Sequence, residues 1–207
     1  MDVNTIVFDL GGVIINLNVP RCVSNFKRLM PEENIRNILG IDDEGEGVVA
    51  VSAATKQLMH DYEYGNITTD EFLRTLQEYC FEGTTIEQIR EAWLSMLDDL
   101  PQERLDYIAE LRKKGYRTIL LSNSNELHWD PIWEQYRLGD YFEVVFASHY
   151  LHMAKPNQEI FDHVVREAKI DCAHAIYVDD LEKNRKAGEQ FAGWKTVASI
   201  DDLKLMI

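Results

Sequence analysis

The chain is short of cysteine, of long apolar runs and of positive charge, and each shortage excludes something. Its three cysteines, Cys22, Cys80 and Cys172, are far apart in 207 residues and form no Cys-x-x-Cys pair. An odd, scattered set of thiols gives no disulfide framework and points to a reducing, cytoplasmic compartment. No stretch approaches the ~20 uninterrupted apolar residues that a membrane span needs. The N-terminus has no basic region ahead of its apolar run, and Asp9 interrupts that run, so it reads as a core strand rather than a signal peptide. Lys and Arg number 21 against 36 Asp and Glu, a formal net charge of −15. That balance argues against nucleic acid, whose phosphates would be repelled, and against anionic membrane surfaces. General acidity favours solubility, and a phosphorylated ligand would have to be attracted by the site itself. Repeats, low-complexity tracts and long linkers are also missing.

What is present is the composition of an ordinary globular protein, 45% hydrophobic and 28% charged, long enough for one full domain plus an insert. Three apolar runs end abruptly in polar residues: Thr5-Ile6-Val7-Phe8-Asp9, Ile119-Leu120-Leu121-Ser122-Asn123 and Ile176-Tyr177-Val178-Asp179-Asp180. Buried parallel strands read this way. From residue 117 strand and helix alternate: strands at 117–122, 144–147, 175–178 and 195–198, helices at 131–137, 157–169 and 183–191. The alternation predicts an α/β fold, a Rossmann-like parallel sheet with flanking helices. Between the first and second strands the character changes. Residues from about 20 to 98 look helical, with Thr68 or Thr69 as a cap ahead of Phe72, Leu73, Leu76 and Tyr79, and Thr85 ahead of Ile86, Ile89, Trp93, Leu94 and Leu97. The expected division is an α/β domain over 1–15 and 99–207, interrupted by a small helical insert over 16–98 that follows the first strand.

In an open α/β sheet, ligands bind beyond the carboxyl ends of the strands. Asp9, Ser122, Asp179 and Asp180 should therefore gather at one edge, with Lys155, followed by Pro156, reaching in from a neighbouring loop. At an effective dielectric of ~20, two like charges ~4 Å apart repel by about 4 kcal/mol. A cluster of three carboxylates thus calls for a raised proton affinity or a cation. All-oxygen donors with no soft ligand suit Mg²⁺, which often shares a substrate phosphate. Neighbouring strand residues point oppositely, so Asp180 is the expected direct ligand and Asp179 its water-mediated or indirect partner. Ser122 and Asn123 offer hydrogen-bond donors to phosphoryl oxygens, and Lys155 offers charge. Asn184, four residues past Asp180, could steady the cluster or simply belong to an exposed helical turn. Ser122-Asn123-Ser124-Asn125 leaves a free loop if the next helix opens at Asp130-Pro131. His149 and His152 have a spacing that zinc ligands can show, but no third matching ligand stands near.

Phe8-Asp9-Leu10-Gly11-Gly12-Val13, Leu121-Ser122-Asn123, Lys155-Pro156 and Val178-Asp179-Asp180 resemble, in order and spacing, the four motifs of the haloacid dehalogenase-like hydrolases. The resemblance spans the chain. It is nearest to the small capped sugar-phosphate phosphatases, the alpha-D-glucose-1-phosphate phosphatase type. It implies that Asp9 is a nucleophile passing through an aspartyl-phosphate, that Asp9 and the Gly11 carbonyl also contact the metal, that Lys155 orients Asp9, and that the helical insert is a cap over the site. The implied substrate is a small phosphorylated metabolite, with sugar 1-phosphates as the narrower option, hydrolysed with Mg²⁺. One departure stands out: many such phosphatases have Asp two residues after the nucleophile as general acid and base, and here that residue is Gly11. Three readings follow: a leaving group that needs little help, a proton supplied by cap or substrate, or a catalytically inactive binding protein. A 2-haloacid dehalogenase would need no metal, which Asp179-Asp180 argues against. A phosphoacceptor signalling domain would carry its acidic pair on the first strand, not late. Within the insert, Tyr62-Glu63-Tyr64-Gly65-Asn66 reads either as a substrate-facing loop or as an inter-helix turn. Oligomeric state is not legible.

Overall fold

The computed structural model describes residues 3–39 and 52–207. Five strands, β1 (Thr5–Phe8), β2 (Arg117–Ser122), β3 (Val144–Ala147), β4 (Ala175–Val178) and β5 (Lys195–Val197), form one sheet in the order β3-β2-β1-β4-β5. All pairings are parallel. β1 and β4 are buried at every position, which is why their sequences are continuous apolar runs rather than alternating ones. Side-chain alternation still sorts the two faces. Ile6 and Phe8 enter one core with Leu105, Ile108, Trp129 and Leu203. Val7 enters the opposite core with Ile119, Leu121, Phe161 and Tyr177. β1 lies centrally, between β2 and β4. The chain therefore changes direction across the sheet at β1, and the crevice this creates opens at the carboxyl end of that strand.

Between β1 and β2 run α1 (Val19–Phe26), α2 (Glu32–Leu39), α3 (Ala53–Glu63), α4 (Thr69–Gln77), α5 (Ile86–Leu94) and then α6 (Gln102–Lys113). The first five share a core of their own, built on Phe26, Met30, Phe72, Leu76, Ile89 and Trp93. Residues 40–51 of the expected helical insert lie outside the described residues. Thr68 and Thr85 cap α4 and α5, and in return the backbone N–H of each cap donates to the Glu71 or Gln88 side-chain oxygen. The chain enters and leaves this block as a backbone pair: Asn16 N–H donates to Asp99 O at 2.9 Å, and Asp98 N–H donates to Asn16 O at 2.9 Å.

After β2 come α7 (Glu126–Tyr136), α8 (Ser148–Leu151), α9 (Gln158–Glu167), α10 (Glu182–Ala187) and α11 (Ile200–Lys204). α7 starts five residues before the position that Pro131 suggests. Asn125 caps it, its side chain accepting from His128 N–H at 3.0 Å, and Pro131 sits inside the helix, forgoing one backbone bond. The short α8 was not expected from the sequence. The helix expected over 183–191 is instead α10 followed by a wider π turn at Gly188–Ala192. Among the described residues no helix is long and apolar enough to cross a membrane.

α7 joins the helical block's core to the sheet face that Trp129 and Ile132 cover. Leu127 packs into the helical block's core, and His128 stacks on Trp93 with ring centroids 5.4 Å apart. His128 Nε2 lies 3.1 Å from Trp93 O, so a neutral ring with its hydrogen on Nε2 suits the place. Burial pushes its pKa down to about 4. An unfolded chain would take up this proton near pH 6.5, so the folded state loses stability as pH falls from about 6.5 to about 4. We expect His128→Gln to remove that part of the acid sensitivity, on the order of 2–3 kcal/mol. Urea unfolding of both proteins between pH 7 and 4 would show it.

Candidate active site

The three expected strand ends converge. β1 extends one residue through Asp9 N–H, which donates to Val178 O at 2.8 Å, and so holds Asp9 beside β4. Lys155 arrives on the loop after α8 and is buried between two carboxylates. Its Nζ is 2.9 Å from Asp9 Oδ1 and 2.7 Å from Asp179 Oδ2. Asp9, Asp179 and Asp180 each place a carboxylate oxygen within 4.8 Å of the others, the one such group of acids, histidines or cysteines among the described residues. His149 and His152 join no such group: His152 Nδ1 lies 2.7 Å from Tyr64 O, and His149 packs against Trp129 and Tyr150.

The three acids differ in what surrounds them. Asp179 is fully buried and saturated with donors. Lys155 and the Tyr177 hydroxyl reach Oδ2, Leu181 N–H reaches Oδ1 at 2.9 Å, and Asn184 Nδ2 is 3.1 Å from both oxygens. Tyr177 can do this because residues two apart on a strand share a face. Burial opposes charge on Asp179, yet Lys155, Tyr177 and the Leu181 amide hold its carboxyl below the usual range. Asp9 accepts from Leu10 N–H at 2.7 Å. Burial, with Asp179 adding to it, outweighs Lys155 and pushes Asp9 up to about 7. Asp180 is exposed, and partial desolvation together with Asp179 raises its pKa. One ammonium thus serves three carboxylates, and the charge deficit falls on Asp9 and Asp180. A hard divalent cation fits this donor set, with Asp9, Asp180 and the Gly11 carbonyl as the oxygens that would hold it. Asp179, its oxygens already engaged, would act indirectly.

Ser122 ends β2 with its side chain buried. Asn123 follows, but its amide hydrogens are spent within the protein: Nδ2 donates to Glu63 Oε1 at 2.9 Å and to Lys155 O at 2.8 Å, while Oδ1 accepts from Lys155 N–H at 2.8 Å. The amide expected to reach a phosphoryl oxygen therefore fixes the Lys155 loop and ties it to α3.

Of the stretch Tyr62–Asn66, which the sequence offers either as a substrate-facing loop or as an inter-helix turn, Glu63 closes α3 and faces the site, whereas Tyr64–Asn66 form the turn. Two contributors escaped the sequence reading. Lys183 lines the site. Gly12, at φ +73°, lies so close to Asp180 that a Cβ there would stand 2.4 Å from Asp180 Oδ2. A strand-end Asp followed by Gly-Gly signals a tight turn, but contact with a residue 168 positions later leaves no local trace. The resulting cleft, of about 710 Å³, is lined by Asp9, Gly11, Glu63, Lys155, Asp180 and Lys183 among others. A smaller chamber of about 170 Å³ adjoins it, walled by Met59, Trp93, Met96 and Ile132 and sharing Gly11, Leu17, Glu63 and Asn123 with the cleft.

This arrangement, a buried lysine between two strand-end acids with a third acid open beside them, agrees with a family model that matches residues 3–191. The chain is a haloacid dehalogenase-like hydrolase. It is 30% identical over 200 residues to the D-ribitol-5-phosphate phosphatase of Bacteroides thetaiotaomicron, covering 94% of this chain and 90% of that protein. A haloacid dehalogenase family enzyme from the same organism, solved with magnesium and inorganic phosphate, superposes with a TM-score of 0.77 at 33% identity, covering 95% of this chain and 93% of that one. A haloacid dehalogenase-like hydrolase structure from Porphyromonas gingivalis gives a TM-score of 0.82 at 28% identity over 100% and 98% of the two chains. Within this hydrolase, Gly12→Ala must displace the Asp180 carboxylate. We expect about a 10–100-fold loss of Mg²⁺ affinity, read by isothermal titration, with the far-ultraviolet circular dichroism unchanged.

Proposed function

We propose that this hydrolase is a Mg²⁺-dependent phosphatase of small phosphorylated metabolites that works through an aspartyl-phosphate on Asp9. The observation that carries the reading is the Lys155 bridge. It orients Asp9 and neutralises part of its charge while leaving Asp180 facing an open cleft. Asp9, Asp180 and the Gly11 carbonyl would hold Mg²⁺, which when bound supplies positive charge for phosphoryl oxygens. In the attack, an Asp9 oxygen forms the bond to phosphorus and splits a very slow hydrolysis into two easier steps. Ser122, at the end of β2, donates to a phosphoryl oxygen, and Lys155 keeps the attacking carboxylate in place. Asn123 acts through the Lys155 loop. The helical block over 16–98, which supplies Glu63 to the cleft wall, serves as a cap that selects the organic part of the substrate.

Likeness to a polyol-phosphate phosphatase supports sugar and polyol phosphates as the first class to try, with sugar 1-phosphates as a narrower option. A 2-haloacid dehalogenase reading is disfavoured by the acidic cluster, which a metal-free attack would have no use for. The test is phosphate release across sugar, polyol and nucleotide phosphates, with Mg²⁺ or EDTA. We expect turnover with Mg²⁺, loss of at least about 100-fold in EDTA, and no detectable turnover by Asp9→Asn. Equal rates in EDTA, or halide release from 2-haloacids in place of phosphate release, would contradict the proposal.

A further inference from the structure

We propose that Glu63 is the general acid of this reaction, delivering a proton from the helical block to the ester oxygen as it leaves. The assignment rests on the phosphatase reading above. An alkoxide is a poor leaving group, so cleavage of a sugar or polyol phosphate calls for a positioned proton donor. The strand-end acids are committed elsewhere: Asp9 to attack, Asp179 to its donors, Asp180 to the cation. Asp98, also at the cleft, is paired with Arg21 at 3.1 Å on the surface. Gly11 has no side chain to offer, and even a Cβ there would stand 3.1 Å from Leu17 Cδ1. Glu63 remains, and its position suits the task.

Glu63 lines both the polar cleft that holds Asp9, Lys155 and Asp180 and the smaller, mainly apolar chamber. It therefore stands where a phosphoryl group in the first would join an organic group in the second, at the bridging oxygen. It is also held from the α/β side. Asn123 Nδ2 donates to its Oε1 at 2.9 Å, and Ser148 Oγ donates to its carbonyl at 2.8 Å. Asn123 in turn fixes Lys155, so acid and nucleophile are set by a common strut. Burial raises the Glu63 pKa, opposed by Lys183, Lys155 and His60, which favours the protonated form a donor needs.

The step balances. An Asp9 oxygen bonds to phosphorus, the phosphorus–ester oxygen bond breaks with its electron pair going to that oxygen, and the Glu63 proton joins it to give the neutral alcohol. Water then attacks the phosphoryl group and gives a proton back to the Glu63 carboxylate. The phosphorus–Asp9 bond breaks with its pair returning to Asp9, and inorganic phosphate leaves.

The experiment is single turnover of the full chain with Mg²⁺, enzyme in excess, following alcohol release from ribitol 5-phosphate and from p-nitrophenyl phosphate. The second leaving group departs without a proton. Glu63→Gln keeps an amide oxygen for Asn123 and lacks the acid. We expect the ratio of the p-nitrophenyl rate to the ribitol rate to rise by about 10²–10⁴ in this variant. A loss of folded protein cancels in that ratio, because both esters meet the same preparation. An unchanged ratio, whether both rates fall together or neither does, overturns the role of Glu63. A wild-type protein inert toward both esters overturns the phosphatase reading beneath it.

Discussion

The buried ammonium of Lys155 is the contact on which the site is built. It sits within 2.7–2.9 Å of two carboxylates from different strands, with 1% of its side chain exposed. At an effective dielectric of ~20 each attraction is worth about 6 kcal/mol gross, against a desolvation cost of several kcal/mol per ion. The lysine keeps its charge because both acids face it; burial works the other way and loses. The same balance leaves the three carboxylates of the cluster two positive charges short. Asp179 is satisfied by Tyr177, Leu181 and Asn184, so the deficit appears at Asp9 and Asp180, where a cation can be bound beside an incoming phosphoryl group.

The fold delivers this arrangement through a central strand flanked by two others. In the parallel register Phe8 stands opposite Val178 and Leu120, so β1 and β4 end level and β2 runs two residues further to Ser122, and residues far apart in sequence meet at one edge. The helical block then closes over that edge. It is pinned by Tyr62, whose hydroxyl accepts from Leu127 N–H at 3.2 Å, by the Trp93–His128 stack, and by Asn157 Nδ2 donating to the Tyr64 hydroxyl at 2.6 Å. The carboxyl that the block brings to the cleft, Glu63, thus arrives on a braced helix end and not on a loose loop.

The residues whose placement was legible in the sequence are those at a strand end: Asp9, Ser122, Asp179 and Asp180, each closing an apolar run, with Lys155 marked by its proline. The parallel sheet and the α4 and α5 caps were legible for the same reason, since periodicity and capping are local. The start of α7 was misjudged because Pro131 resembles a first-turn proline, while the stronger signal was Asn125 with Glu126 behind it. Asn123 was assigned to the ligand, yet its amide partners lie 32 and 60 residues away. Gly12 against Asp180 and Glu63 against Asn123 are contacts between distant segments. No local pattern encodes them, and only the packing of the helical block on the sheet brings them together.

The most direct test is a crystal structure of the chain grown with Mg²⁺ and inorganic phosphate. The account predicts one ion bound by oxygens of Asp9 and Asp180 and the Gly11 carbonyl, with phosphate between it and Ser122 and Lys155 still bridging Asp9 to Asp179. An ion bound away from Asp9, or a Lys155 that has left both carboxylates, would contradict it.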